Sequence, residues 1–390
     1  MKRVLVVQPS IQPPGGGTGV ASWMLEALKE ENRLTLLTWD RPRLGEVNRI
    51  FGTRLSSSDF EVRLGPRWVW MLMRLSPTPI DLLTSNILNR EGRRLARDFD
   101  VIISVNNESD LGGRGIQYVH FPKCKRERPK NDLRWFHLAP LVEAYYFAAN
   151  RLAGFSREQM LRNLTLVNSD YIGRQFAAEH GIVPLTLNPP ALGVFPDTPW
   201  ESREDGFVII GRLSPEKRAE RAIEILARVR ESFPSVHLHI AGNRDNRRYG
   251  AIVRRRVAEN SSWVFLHEDL SRAQLNELIS QHRYGIHAME EEHFGMAVAE
   301  LVSAGCIPIV PRSGGAPEIV GNDDRMLYSS DDEAVEKIAR IIGDPALSAD
   351  LRRFVAARKP LFSTGLFVRR IRKLVREFPN PGPLAAPEAD

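Results

Sequence analysis

Short runs of β-branched and aliphatic residues alternate along the chain with longer stretches whose apolar positions recur every three or four residues. That alternation predicts βαβ units around a parallel sheet. In the first half, strands are expected at Arg3–Val7, Leu34–Thr38, Val101–Val105, Ile116–Val119 and Thr165–Val167, with a crossover helix over Val20–Glu30. A turn-rich passage, Asn188-Pro189-Pro190-Ala191-Leu192-Gly193-Val194-Phe195-Pro196, interrupts the pattern. It restarts with expected strands at Phe207–Ile210, Val236–Ala241, Trp263–Leu266, Tyr284–Ala288 and Ile307–Val310, and a helix over Ala219–Glu231. The predicted organisation is α/β, with one Rossmann-like domain over residues 1–190 and another over 191–360. A basic amphipathic helix, Phe367–Arg376, falls in the segment 361–378, and a Pro/Ala-rich tail at 379–390 has the composition of a flexible end.

Composition narrows the class. A chain of 390 residues exceeds what one hydrophobic core usually serves, which agrees with two domains. Its 43% hydrophobic and 26% charged residues exclude disorder over the body of the chain. Two cysteines, Cys124 and Cys306, stand too far apart for a metal-ligand spacing or a disulfide framework, so a reducing, cytoplasmic setting is expected. The apolar run after Met1 is too short for a signal peptide. No stretch approaches the roughly 20 apolar residues of a membrane span. A net charge of +6 favours anionic partners without selecting one.

The candidate chemistry lies where expected strands end. In Glu292-His293-Phe294-Gly295-Met296-Ala297-Val298-Ala299-Glu300, a helix must begin near Phe294, with Glu292 just before it and Glu300 about two turns inside. The amide end of a helix suits a diphosphate or a sugar hydroxyl, and carboxylates accept hydrogen bonds from vicinal hydroxyls. On spacing alone, an acidic first turn complementing the helix dipole explains the segment equally well. Arg212 and Lys217 follow the strand Phe207–Ile210, at the carboxyl end where open α/β sheets bind ligands. An Arg fork and a Lys point charge suit a diphosphate, although surface cations at a helix start have the same pattern. Pro13-Pro14-Gly15-Gly16-Gly17-Thr18-Gly19-Val20 follows the first strand and lets backbone amides approach a phosphate or sugar. Its spacing departs from the dinucleotide fingerprint, though Asp40 stands near the distance at which that fold places its ribose ligand. His120 ends the strand in Tyr118-Val119-His120-Phe121-Pro122. The remaining histidines show no metal spacing: His237 and His239 share a strand face, with no third ligand obvious. Asp98-Phe99-Asp100 precedes its strand, the wrong end of the sheet for a ligand, and is expected to be a solvated turn.

Three segments together resemble one family. Glu292 followed by Phe294-Gly295 and, eight positions on, by Glu300 is similar to the signature of the large retaining glycosyltransferase family of GT-B fold, family 4. Val208-Ile209-Ile210-Gly211-Arg212-Leu213-Ser214-Pro215-Glu216-Lys217 resembles its diphosphate-binding strand-loop, and Ser313-Gly314-Gly315-Ala316-Pro317-Glu318-Ile319-Val320 its last donor-side loop. The resemblance spans Phe207 to Val320. It implies two doubly wound domains facing a cleft, and a retaining, metal-independent transfer of a hexose from a nucleotide-diphosphate sugar. Implied donor-site residues are Arg212 and Lys217 on the diphosphate, Glu300 on the ribose, and Glu292, Phe294, Gly295 and Met296 at the sugar. Gly242, Asn243 and Glu268 would lie at the base, and Gly16 and Gly17 at the phosphates. His120 and Glu292 are the implied catalytic pair, no cofactor or metal is implied, and the last helix would return to the first domain. Gln117-Tyr118-Val119-His120-Phe121-Pro122, Val167-Asn168-Ser169 and Asn188-Pro189-Pro190 resemble mannosyltransferases that extend lipid-linked oligosaccharides, which tilts the donor toward GDP-mannose and the acceptor toward a glycan or lipid-linked glycan.

Pro66-Arg67-Trp68-Val69-Trp70-Met71-Leu72-Met73-Arg74-Leu75 has the make-up of an interfacial helix, and Lys123-Cys124-Lys125-Arg126-Glu127-Arg128-Pro129-Lys130 is a basic loop beside His120. Either is equally a packed helix or a solvated loop; together they suggest peripheral contact with the inner membrane face. No nucleic-acid motif is present. The competing readings are a non-catalytic nucleotide-sugar or glycan-binding relative, a dinucleotide oxidoreductase, and an epimerase or phosphorylase of the same fold. Glu292, Arg212 and Lys217 argue against the first, and the glycine spacing against the second.

Overall fold

The computed structural model describes residues 1–13, 15–75, 80–122, 139–242 and 246–379. The basic loop at 123–130, Asn243 and the tail from 380 onward lie outside the described residues. The chain forms two compact units, one from Met1–Leu187 with the chain from Val368, the other Asn188–Phe367.

The first unit is built on a parallel sheet of seven strands. In chain order these are β1 (Lys2–Val7), β2 (Asn32–Thr38), β3 (Phe60–Leu64), β4 (Val101–Ser104), β5 (Ile116–Val119), β6 (Leu164–Val167) and β7 (Leu185–Thr186). Their spatial order is β3-β2-β1-β4-β5-β6-β7. Val4, Leu5, Val6 and Val7 are all fully buried, as expected of a central parallel strand covered on both faces. The first helix spans Gly16–Leu28, four residues earlier than its apolar pattern indicates, so the glycine passage is its first turn. Gly17 fits closely there: a Cβ would come within 3.2 Å of His120 Nε2. The sequence pattern missed β3 and β7, and a third strand at Leu327–Tyr328 in the second unit, because such short strands carry little periodic signal. The last helix, Thr364–Glu377, packs on this unit through its later turns. Arg372 donates from Nε to Ala27 O at 2.6 Å and pairs with Glu30, and Lys2 Nζ donates to Val375 O at 2.8 Å.

The second unit holds β8 (Glu204–Ile210), β9 (His237–Gly242), β10 (Val264–Glu268), β11 (His282–Ile286), β12 (Ile307–Pro311) and β13 (Leu327–Tyr328). All pair in parallel in the order β10-β9-β8-β11-β12-β13. The order reverses between β8 and β11, which opens a crevice beyond their carboxyl ends. The helix Ala219–Val229 buries Ala222, Ile223, Ile225, Leu226 and Val229 at amphipathic spacing against this sheet's core. Two doubly wound Rossmann-like units of this kind are the GT-B class.

Candidate functional site

In the second unit, β8 and β11 flank the reversal and deliver the charged residues. Beyond Ile210 the chain turns through Gly211 and Arg212 into a short 3-10 turn, Pro215–Lys217, opened by Ser214. The Lys217 stem lies over Gly211, where a Cβ would come 3.3 Å from Lys217 Cδ. Beyond β11, His287 is tied down by its backbone, its N–H donating to Ile309 O and its carbonyl accepting from Tyr328 Oη at 2.7 Å. The loop after it carries Glu292. Lys217 Nζ donates to Glu292 Oε2 at 2.5 Å, and His287 Nε2 stands 3.6 Å from the same oxygen. Burial works against the Glu292 carboxylate, but Lys217, together with the neighbouring His287 and His293, outweighs it and holds the group down at about 2. Burial lowers His287 to about 4, against the pull of Glu292. Near neutral pH the site is therefore an ionised carboxylate, a charged lysine and a neutral buried imidazole.

Two glycines shape the loop. Gly314 has φ +80°, and a Cβ on it would stand 2.4 Å from Glu292 O. Gly315 N donates to Glu292 O at 2.7 Å, and a Cβ there would stand 2.5 Å from His293 O. This is why Ser313-Gly314-Gly315 belongs with Glu292: only backbone without side chains lets the two loops touch. Phe294 is buried in the unit's core, and Gly295, at φ +108°, starts the helix Met296–Ala304, with half-buried Met296 as its first residue. Glu300 is thus just over one turn into the helix, because the helix starts at Met296 rather than near Phe294. Glu300 is 4% exposed and pairs with Arg272 Nη1 at 2.8 Å; burial raises its carboxyl despite that partner.

The other residues are placed differently. Arg212 is exposed and bonds to Glu216 at 3.1 Å. Glu268 at the end of β10 is held by two hydrogen bonds from Arg254, at 2.5 and 3.1 Å. Gly242 at the end of β9 passes so close to Gly211 that a Cβ would meet its carbonyl oxygen at 2.2 Å. Sequence reasoning missed His287, Arg272 and Arg254. It also missed Arg218 and Arg221, which both pair with Glu290, at 2.8 and 2.7 Å.

In the first unit, Gly16 and Gly17 form the first helical turn after β1, whose amides have no acceptor inside their own helix. His120 follows β5, with Nε2 3.1 Å from Val105 O. Asn107, at φ +61°, accepts from the His120 and Phe121 amides at 2.7 and 3.1 Å, and Asn168 Nδ2 donates to His120 O at 3.0 Å. Asn168 thus explains the Val167-Asn168-Ser169 segment as a clamp on the His120 backbone. Asp100 accepts from the Arg3 amide at 2.7 Å, at the amino end of the sheet.

Residues 195–358 match the family model described as "Glycosyl transferases group 1". The second unit carries a group 1 glycosyltransferase domain. Curated relatives agree: a "GDP-Man:Man(3)GlcNAc(2)-PP-Dol alpha-1,2-mannosyltransferase" of Dictyostelium discoideum is 28% identical over 193 residues, 46% of this chain and 38% of that protein. The human protein of the same description is 30% identical over 161 residues, 37% of this chain and 32% of its own length. The matches thus span well under half of those relatives. Among solved structures, Anabaena HepE in complex with UDP and glucose superposes with a TM-score of 0.65 at 16% identity, covering 97% of this chain and 100% of that one. Sucrose-phosphate synthase from Thermosynechococcus elongatus gives 0.67 at 14% identity, covering 97% and 99%. These structural likenesses establish the fold. Every charged residue described in the second unit, from Arg212 to Glu300, falls inside the matched glycosyltransferase domain.

Proposed function

We propose that the chain is a retaining hexosyltransferase that moves mannose from GDP-mannose to a glycan or lipid-linked acceptor, with no metal ion on the diphosphate. The observation that carries this reading is the Lys217–Glu292 pair beside buried His287, at the β8/β11 reversal of a group 1 glycosyltransferase domain. Lys217 and Arg212 take the diphosphate, so the charge that gathers on the leaving group as its bond to C1 breaks meets fixed cations. The acceptor oxygen forms the new bond to C1, and its proton leaves with the departing diphosphate. Glu292 receives hexose hydroxyls, and Glu300, oriented by Arg272, receives the ribose. Gly16, Gly17 and His120 supply amides and a ring in the first unit. The curated relatives act on a dolichol-linked glycan with GDP-mannose by name, which supports that donor and a membrane-borne acceptor.

A surface acceptor also fits the helix Arg67–Leu75, where Trp68 and Met71 are 60% and 58% exposed while Val69 is fully buried. Among the described residues no helix is long and apolar enough to cross a membrane, so such contact would be peripheral.

The test is a thermal-shift panel of GDP-mannose, UDP-glucose, UDP-N-acetylglucosamine and NAD, with and without EDTA, on wild type and Lys217→Ala. A ligand that binds only the folded protein raises its melting temperature. GDP-mannose is expected to stabilise wild type equally with and without EDTA, and Lys217→Ala far less. A response to NAD alone would overturn the reading, and a response abolished by EDTA would overturn its metal-independent part.

A further inference from the structure

Three histidines gather on one face of the second sheet, toward the amino ends of its strands and away from Lys217 and Glu292, and His267, late in β10, meets one of them. His237 and His239 lie two apart on β9, and His282 begins β11. Between these strands runs β8, where Gly206 is paired in register with His237. A Cβ on Gly206 would stand 2.2 Å from His237 Nε2 and 2.6 Å from His282 Cδ2. The missing side chain is what lets the two rings meet across β8, with centroids 5.4 Å apart. His239 lies 4.4 Å from His282 by centroid. One ring nitrogen from each of His237, His239 and His282 falls within 4.8 Å of the others.

The hydrogen bonds outside this cluster have the form that prepares imidazoles as ligands. His282 Nδ1 lies 2.6 Å from Leu278 O, so Nδ1 carries the proton and Nε2 keeps its lone pair. That Nε2 is buried and has no hydrogen-bond partner among the described residues, in a residue only 1% exposed. His237 Nδ1 faces Ser235 O at 3.4 Å, leaving its Nε2 toward Gly206, 3.2 Å from Glu204 Oε2. His239 Nδ1 lies 2.8 Å from His267 Nε2. A ring nitrogen bonded to a carbonyl or a second imidazole while the other faces inward is the usual outer support of a metal-bound histidine.

We propose that this cluster is a divalent transition-metal site, with zinc the best fit, formed by His237, His239, His282 and the carboxylate of Glu204. Three imidazoles and one carboxylate make a borderline-soft, four-ligand set of the kind zinc takes in tetrahedral geometry. Zinc bonds of about 2.0–2.1 Å put ligand nitrogens about 3.4 Å apart, so the rings close inward by about 1 Å on loading. Cys306 is no ligand: its thiol donates to His282 O at 3.3 Å, and burial pushes it up to about 12. The site ties β8, β9 and β11 together at the end of the sheet opposite the candidate donor site, so it braces the domain and takes no part in sugar transfer.

The experiment uses full-length protein without a histidine tag, stripped with a chelator and dialysed. Co2+ is titrated in while its visible d–d bands are followed, then Zn2+ is added as competitor. The expected result is one Co2+ per chain with tetrahedral-type absorption, displaced by one Zn2+, and a melting temperature that rises with Zn2+. His237→Gln, at a partly buried position, and Glu204→Gln, at an exposed one, should keep the fold and weaken binding, His237→Gln by at least 10-fold. Absence of saturable binding to stripped wild type at micromolar metal would overturn the proposal. So would binding left unchanged in both His237→Gln and His239→Gln.

Discussion

Removing Lys217 should expose how the candidate donor site holds its charges. The Lys217 and Glu292 side chains are 19% and 15% exposed, between the surface pairs worth about 0–1 kcal/mol and the buried pairs whose rupture costs about 3–5 kcal/mol. Burial alone would push the Glu292 carboxyl above its ordinary 4.5, yet it sits at about 2. That shift corresponds to about 3 kcal/mol favouring the ionised form at neutral pH, and Lys217 is its principal source. Lys217→Ala should therefore cost about 2–3 kcal/mol of folding stability at pH 7.5, and Lys217→Ala/Glu292→Gln less than the sum of the two single changes. Urea unfolding of the four proteins gives the coupling, expected at about 1.5–2.5 kcal/mol. Calorimetric titration with GDP supplies a second axis on which the partners diverge. Lys217→Ala loses a charge-assisted hydrogen bond to phosphate and should bind about 10- to 150-fold more weakly. Glu292→Gln removes the carboxylate that competes with phosphate for the lysine, so GDP should bind it as tightly as wild type or more so. Additivity within about 0.5 kcal/mol, or equal weakening of GDP binding by both single changes, would refute this account of the pair.

Four further outcomes follow from the structure. Because His287 is lowered to about 4 from 6.5, the unfolded chain takes up its proton first, and stability should fall as pH drops from about 6.5 to 4; Glu292 extends the loss from about 4.5 toward 2. Urea unfolding at pH 7.5, 6 and 5 should show this slope, and His287→Asn should reduce it by up to one proton, about 1.4 kcal/mol per pH unit, between those limits. Gly314→Ala places a methyl 2.4 Å from Glu292 O at φ +80°, so it should cost about 2–4 kcal/mol and lose GDP binding in calorimetry. Gly45→Ala, where nothing lies within 4 Å of the new methyl, should be neutral or slightly stabilising. Arg272→Ala strands the buried Glu300 carboxylate and should lower stability by about 3–5 kcal/mol, with Glu300→Gln in the same chain recovering part of the loss in a denaturant titration.

Much of this arrangement was legible because it depends on where strands end. The apolar runs placed β1, β8, β11 and β12 within a few residues, and a parallel sheet then puts Arg212, Lys217, Glu292 and the Gly314-Gly315 turn beyond carboxyl ends. Partner choice across the fold was not legible. Glu300 meets Arg272 because the helix Arg272–Ser280 packs beside Met296–Ala304, a contact that no periodicity records. His287 reads as one more apolar-flanked strand residue until β12 and Tyr328 fix its backbone beside Glu292. Glu268 reads as available for a ligand, whereas Arg254, on the helix just before β10, holds it from two nitrogens. The pair His237 and His239 showed no third ligand in sequence, yet the order β9-β8-β11 and the bare Gly206 bring His282 to them.

The charges around the β8/β11 reversal share a feature that bears on how a diphosphate would bind. Lys217 is paired with Glu292, Arg212 with Glu216, and Arg218 and Arg221 both with Glu290. A diphosphate arriving here therefore exchanges partners, displacing carboxylates from cations that are already charged and positioned. The net gain is smaller than for cations held without partners, but less of their desolvation falls to the binding step. Arg221 remains committed by more than one contact, since it also pairs with Asp331 at 2.7 Å and lies over the Tyr328 ring. Lys217 has a single carboxylate partner among the ion pairs described, and its stem runs over Gly211, so its ammonium can swing from Glu292 to phosphate with little backbone movement. Once Lys217 moves away, burial is no longer opposed by it at the Glu292 carboxylate, so hydroxyl donors of an arriving sugar would have to take its place there. Under the proposed function, the step that seats the diphosphate would also free Glu292 for hexose hydroxyls, and recognition of the two halves of a nucleotide sugar would be tied to one ion pair.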